Sequence, residues 1–188
     1  VVRCITVGLI AHYYQMEHVR DRHAVTVGVF HHRTAKDTAF FKRLQMLQKM
    51  IARCEHESIP KIQEVSQVGG RACIFLDPVA GMSLSQYFRT HGSPGESGIG
   101  VEKTTEIIAK LHGAMGYAHA HSLDHRDMDS ELVHVQEDGS LKILGIGVKS
   151  ALGVDLFEEI VSASVSPLVC DRTPDRLNSF DIMSPEYR

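Results

Sequence analysis

The chain has no C-x-x-C pair, no long apolar run and no marked excess of either charge, and each absence removes a class of protein. Its four cysteines, Cys4, Cys54, Cys73 and Cys170, stand far apart. That spacing fits neither a zinc knuckle nor a secreted disulfide framework, and it sets the expectation of reduced thiols in a cytoplasmic compartment. No apolar stretch approaches the length of a membrane-spanning helix, and the opening Val1-Val2-Arg3 lacks a signal-peptide pattern, so no membrane segment is expected. The formal net charge is −3, and the basic residues are scattered without interleaved aromatics. Nucleic acid is therefore not an expected partner.

What is present is ordinary for a globular protein: 188 residues, 43% hydrophobic and 23% charged, enough for one or at most two domains with a real core. The chain opens without Met and stops at Arg188, which sets the expectation that it is part of something longer. The first thirty or so residues read as strands. Val1 to Leu9 is rich in β-branched residues, His23 to Phe30 alternates in the same way, and a polar turn holding Glu17, Arg20, Asp21 and Arg22 lies between them. From Thr34 to Cys54 the period becomes helical. Phe40, Leu44, Leu47 and Ile51 share one face, Thr34 is the expected N-cap, and Asp37 falls in the first turn.

Two strands are expected near Lys61–Gln67 and Arg71–Leu76 across the turn Gly69-Gly70. Ser83 and Gln86 form a capping-box pattern for a short helix ending before Gly92. The stretch HGSPGESGIG (91–100) reads as a loop and as the best candidate for a hinge between sub-structures. The longest helix is expected from Glu102 to His121 with the stripe Ile107, Ile108, Leu111, Met115 and Ala118. A hairpin, Leu132–Gln136 and Leu141–Leu144, follows, and beyond Val148 the periodicity weakens into an irregular segment.

The segment Tyr117–Gly147, YAHAHSLDHRDMDSELVHVQEDGSLKILGIG, carries the most information. It resembles the catalytic core of protein kinases, in particular the bacterial branch of the eukaryotic-type Ser/Thr family, which reads A-H-A-H-G-x-x-H-R-D-L-K-P-x-N, then a hairpin, then K-I-x-D-F-G. The separation of Asp127 from Gly145 matches that of the family's two motif aspartates. Ser184-Pro185-Glu186 stands where the family's A-P-E closes the activation segment, which here opens at Gly147. Val25-Thr26-Val27-Gly28 takes the place of V-A-I-K, the helix after Thr34 that of the regulatory C-helix, Leu76 that of the gatekeeper, and Asp77-Pro78-Val79 that of the interlobe hinge. The resemblance implies an α+β, bilobal kinase-like fold. A β-rich N-lobe and hinge would occupy 1–79, and a partial, mainly helical C-lobe ending at the activation segment would occupy 80–188.

Phosphoryl transfer asks a protein for positioning and charge stabilisation, from a phosphate-cradling loop, a lysine and two magnesium ligands. Carried over position by position, the resemblance finds most of these replaced. The phosphate-loop stretch Gly8-Leu9-Ile10-Ala11-His12-Tyr13 keeps only its first glycine. The strand lysine is Gly28, and its C-helix partner is Leu44, or Gln45 in the adjacent register. The catalytic-loop lysine is Asp129, and the two metal-ligand positions are Leu132 and Gly145. Only Asp127, the position of the base, survives, beside His125 and Arg126. A base with no held phosphate has nothing to deprotonate a substrate for. Gly8, Leu76, Asp77 and Val79 would border whatever nucleotide cleft remains.

His125-Arg126-Asp127 also has a structural role, with the histidine in the core and the aspartate capping loop backbone. Ser162, Ser164, Ser166, Thr173 and Ser179 read as solvated hydroxyls or as acceptors for a phosphate facing Arg126. His119, His121, Asp124 and His125 do not share one helical face, so no metal site is expected. Cys54 and Cys73 read as small buried hydrophobes. The leading expectation is a pseudokinase: a non-catalytic signalling or scaffolding module with protein partners and no cofactor. Two alternatives stand beside it, a divergent Ser/Thr kinase using ATP and magnesium, and a switch that binds nucleotide without turnover.

Overall fold

The computed structural model describes residues 3–18, 22–92 and 99–164. Ser184, Pro185 and Glu186, together with Ser166, Thr173, Ser179 and Cys170, lie outside the described residues. The first layer is a five-stranded antiparallel sheet of β1 (Arg3–Val7), β2 (Ala11–Glu17), β3 (Ala24–Phe30), β4 (Ile62–Val68) and β5 (Arg71–Leu76), in the order β1-β2-β3-β5-β4. Alternation along β3 sends Val25, Val27 and Val29 to one face, where they pack with Met16, Cys73 and Phe75. Thr26, Gly28 and Phe30 fall on the other face.

That second face receives α1 (Thr38–Ala52), which buries the expected stripe Phe40, Leu44, Leu47 and Ile51. Phe30 and Phe40 meet edge to face with ring centroids 5.1 Å apart. The helix starts later than its sequence pattern suggests. Residues His32–Lys36 form a 3₁₀ turn in which the Thr34 hydroxyl donates to the His31 carbonyl at 2.8 Å. The N-cap is Asp37, whose carboxylate accepts from the Phe40 amide at 2.9 Å, a contact of about 1 kcal/mol.

The chain crosses to the second layer at Asp77–Gly81, and the 91–100 stretch instead joins two helices of that layer. A small sheet of β6 (Met82–Ser83), β7 (Val133–Val135) and β8 (Leu141–Ile143) is flanked by α2 (Leu84–His91) and α3 (Val101–Ala120). Ser83 caps α2 by accepting from the Gln86 amide, as its pattern suggests. On α3 the buried residues are Ile107, Ala114 and Ala118, whereas Ile108 is 58% exposed and so leaves the expected stripe. The segment after α1 is fastened to this layer by three bonds. The Glu55 amide donates to the Tyr117 hydroxyl at 2.8 Å, the Ile143 amide to the Ser58 carbonyl at 2.9 Å, and Lys142 to the Glu57 carbonyl at 2.7 Å.

Beyond Val148, where an irregular segment was expected, the chain forms α4 (Val148–Leu152) and α5 (Val154–Ser164). Gly147 has φ of +76°, a conformation that glycine adopts without strain, and a Cβ there would run into the Leu47 side chain, so glycine eases the close approach of α4 to α1. The core is continuous across both layers, running from Tyr13, Ile74 and Leu44 to Leu132, Leu144 and Leu152.

Candidate nucleotide cleft

The cleft lies between the cleft-facing side of the first sheet and the loop carrying His125 and Asp127. Gly8, Ile10, Ala11 and Tyr13 line it from above, with His125, Asp127, Leu132, Gly145, Val148 and Lys149 below, around a cavity of about 20 Å³. That holds about one water molecule.

Tyr13 decides the shape of this space. It pairs in register with Gly28 and is 2% exposed. A Cβ placed on Gly28 would sit 2.9 Å from the Tyr13 ring and 2.9 Å from Ile74 Cγ1, so any side chain at 28 collides with the ring. The Tyr13 hydroxyl extends to 3.6 Å from where a Cβ on Gly145 would lie. One aromatic side chain thus spans from the position matching the family's lysine to the position matching its metal-binding aspartate. Burial, and then the negative charge of Asp127, push its phenol pKa up, so Tyr13 is neutral and protonated.

Leu132 is buried and lies below Gly8, its Cδ2 3.9 Å from a Cβ placed there. Leu44 is fully buried while Gln45 is exposed, so neither register of the C-helix aims a polar group at Gly28. Asp129 is a turn residue at the surface whose carboxylate accepts from the Glu131 amide at 2.9 Å.

His125 is buried, and its Nε2 lies 2.7 Å from the Leu144 carbonyl, which fixes the tautomer with the proton on Nε2. Burial lowers its pKa, and Nδ1 has no hydrogen bond of normal geometry. Arg126 adopts φ of +58° and donates through Nε to Asp124 at 2.5 Å. Asp124 also accepts from the Ser150 hydroxyl, and that bond, ahead of Arg126, holds its carboxyl below the usual range. Asp127 caps no backbone group among the described residues; its counter-ion is Lys149 at 3.8 Å, and Lys149 in turn sits 4.0 Å above the Phe157 ring. The residue matching the catalytic base is thus paired with a lysine from α4.

The opposite end of the cleft is also closed from within. Val79, fully buried in the connector, donates its amide to the Thr26 hydroxyl at 2.9 Å, and Thr26 is fully buried too. Leu76 is buried beside it. Asp77 accepts from the Lys61 amide at 3.0 Å and from the Gln63 side chain. On β7, Val133 and Val135 pack toward Ile107, so His134 faces the other way, 1% exposed, with neither ring nitrogen in a hydrogen bond of normal geometry. Burial takes its pKa down to about 4.

Gly28, Leu44, Leu132 and Gly145 are legible from their place in the motifs, but the groups that fill their space are not. Tyr13 stands at the end of the glycine-loop stretch, where the motif registers it only as crowding. Its β2 alternation with Ala11 is the signal that could have found it. Thr26 carries a hydroxyl where the motif has alanine, and Lys149 has no sequence signal at all. His119 and His121 are exposed on and after α3, and no metal-holding group of three His, Cys, Asp or Glu occurs among the described residues.

A curled five-stranded sheet with one packed helix, a cleft, and a helical layer carrying a loop of this sequence define a kinase-like fold. The chain belongs to the protein tyrosine and serine/threonine kinase family, whose profile matches residues 6–160. Among curated relatives it is 28% identical over 154 residues to a probable serine/threonine-protein kinase PknB of Lactococcus lactis, and 22% identical over 152 residues to the serine/threonine-protein kinase PrkC of Bacillus subtilis. These matches cover 81% of this chain but only 24% and 23% of those proteins. The kinase domain of PknI from Mycobacterium tuberculosis superposes with a TM-score of 0.62 at 22% identity, covering 78% of this chain and 57% of that one. The chain therefore spans about a quarter of the curated relatives it matches. Among the described residues no helix is long and apolar enough to cross a membrane.

Proposed function

We propose that this chain is a catalytically deficient kinase-fold module, a pseudokinase, that acts in the cytoplasm by binding protein partners. One observation carries the reading: the Tyr13 ring lies against Gly28, in the space the family gives to its phosphate-binding lysine. Without that cation, and with Leu132 and Gly145 in place of metal ligands, the one cationic side chain among the described residues lining the cavity is Lys149, which is paired with Asp127, so the set of charges that stabilises a transferring phosphoryl group is incomplete. Thr26 supports the same reading at the connector, because its hydroxyl satisfies the buried Val79 amide that a ligand would otherwise have to satisfy.

The test is a thermal-shift titration with ATP, with and without magnesium, run beside a phosphate-transfer assay. The expected result is no shift in melting temperature and no transfer. Magnesium-dependent stabilisation together with transfer abolished by Asp127→Asn overturns the proposal in favour of a divergent Ser/Thr kinase. Stabilisation without transfer replaces it with a nucleotide-binding switch.

A further inference from the structure

The outward face of α1 is unlike the rest of the chain. Between Thr38 and Arg53 there are four basic residues, Lys42, Arg43, Lys49 and Arg53, and no acidic one, although the whole chain carries a net charge of −3. Arg43 is committed inward: it donates to the Ala151 and Leu152 carbonyls at the end of α4 and pairs with Asp37 at 3.6 Å. Lys42, Lys49 and Arg53 are exposed, and their side chains make no ion pair or hydrogen bond to any described residue. At about 100° of turn per residue these three fall on one strip of the helix, and Met46 and Met50 run along its edge. Met46 is 63% and Met50 38% exposed, two large apolar side chains one turn apart.

Unbranched thioethers adapt their shape to what they touch and recur on surfaces that bind helices. A row of unpaired cations beside them selects for a ligand of opposite charge and repels a basic one. We propose that this face of α1 docks an acidic amphipathic helix of a partner protein, its carboxylates facing Lys42, Lys49 and Arg53 and its apolar anchors seated on Met46 and Met50. The inference deepens the reading of this chain as a protein-binding module and rests on it. The strip from Lys42 to Arg53 is about 16 Å long, which accommodates about three turns of a partner helix. The docked helix would lie on the element whose inner side holds α4 through Arg43 and through Leu47 against Gly147.

The experiment is an unbiased display selection on the full chain with random peptides of about 16 residues, enough for about four helical turns. The expected winners carry an excess of Asp and Glu with two apolar residues three or four positions apart. A synthesised winner is expected to lose about tenfold or more in affinity against Lys42→Glu/Lys49→Glu, and separately against Met46→Ser/Met50→Ser, and to weaken as salt rises. All these positions are at the surface, so unchanged melting temperatures certify that the variants fold. No enrichment, enrichment of neutral or basic peptides, or binding that survives both variants overturns the inference. So does binding to phosphatidylglycerol vesicles that is lost in the same variants while no peptide competes, which would make the face a lipid contact. The ATP and transfer assays do not touch this face, so failure here leaves the pseudokinase reading standing, and the converse holds for those assays.

Discussion

Gly28 and Tyr13 form a complementary pair, a missing side chain on one strand and a ring from the neighbouring strand that occupies the space. A Cβ at 28 meets the ring and Ile74 at 2.9 Å, and neither neighbour is the free end of a flexible chain. Gly28→Ala is therefore expected to destabilise the fold by about 1–3 kcal/mol through overpacking. Tyr13→Ala removes a buried ring and is expected to cost about 3–5 kcal/mol. The double variant, with Cβ and cavity side by side, is expected to be less destabilised than the two singles added, by about 0.5–3 kcal/mol of coupling. Urea unfolding of the four proteins measures this; strict additivity would mean that the two positions do not share space. The sequence displayed half of this pair. The lost lysine is legible at once because it is a matter of position along the chain. What replaced it is a matter of register between β2 and β3, which no motif records.

Element by element, what could be read from the chain depended on how each element is held. α1, α2, α3, β4, β5 and the β7/β8 hairpin each carry their own signal, an apolar period, a cap or a turn, and all were expected near where they lie. The first thirty residues were read as strands, but only Val1–Leu9 and His23–Phe30 were given bounds, so β2 had none of its own and its last residue, Glu17, was placed in the turn; the two helices after Gly147 were not expected. β2 exists because β1 and β3 flank it, and its cleft-facing Ala11 and Tyr13 alternate too briefly to stand out. α4 has only five residues, too few to be stable alone, and it persists by borrowing from α1. Arg43 satisfies its last carbonyls, and Leu47 packs on the glycine that starts it. Arg43→Met keeps the stem and removes the donors. It is expected to cost about 1–2 kcal/mol, concentrated as faster amide exchange at Ala151–Gly153. Global exchange rising equally in β3 and β5 would show that Arg43 supports the whole fold rather than the α1–α4 seam.

At the scale of the whole molecule, the seam between the two layers holds buried histidines whose neutral form burial favours. His134 lies in this seam with its pKa taken down to about 4 by burial, and His125, also buried, is lowered for the same reason. His12 and His31 at the edge of the first sheet are lowered too, His31 to about 4 by burial and by the neighbouring His32, Arg33, Arg71 and His12. The sign follows from linkage. Near pH 6 the unfolded chain binds protons on these imidazoles more fully than the folded chain does, so stability falls as pH falls. The contribution is fully present above the unfolded pKa of about 6.5 and is lost progressively toward pH 4. For His134 the loss is about 3 kcal/mol across that window, because each tenfold difference in proton affinity between the two states is worth about 1.4 kcal/mol. Urea unfolding at intervals from pH 7.5 to 4.5 is expected to show a steep decline, and His134→Leu, an apolar side chain on the same face of β7, is expected to flatten it. A decline of the same slope in His134→Leu would place the proton uptake on His125 or His31 instead. Because the acid-sensitive group sits where the two layers meet, the first step of acid unfolding is expected to be separation of β7 and its sheet from the first sheet. Faster amide exchange at Leu132–Val135 and Val79, ahead of β3 and β5, measures that order.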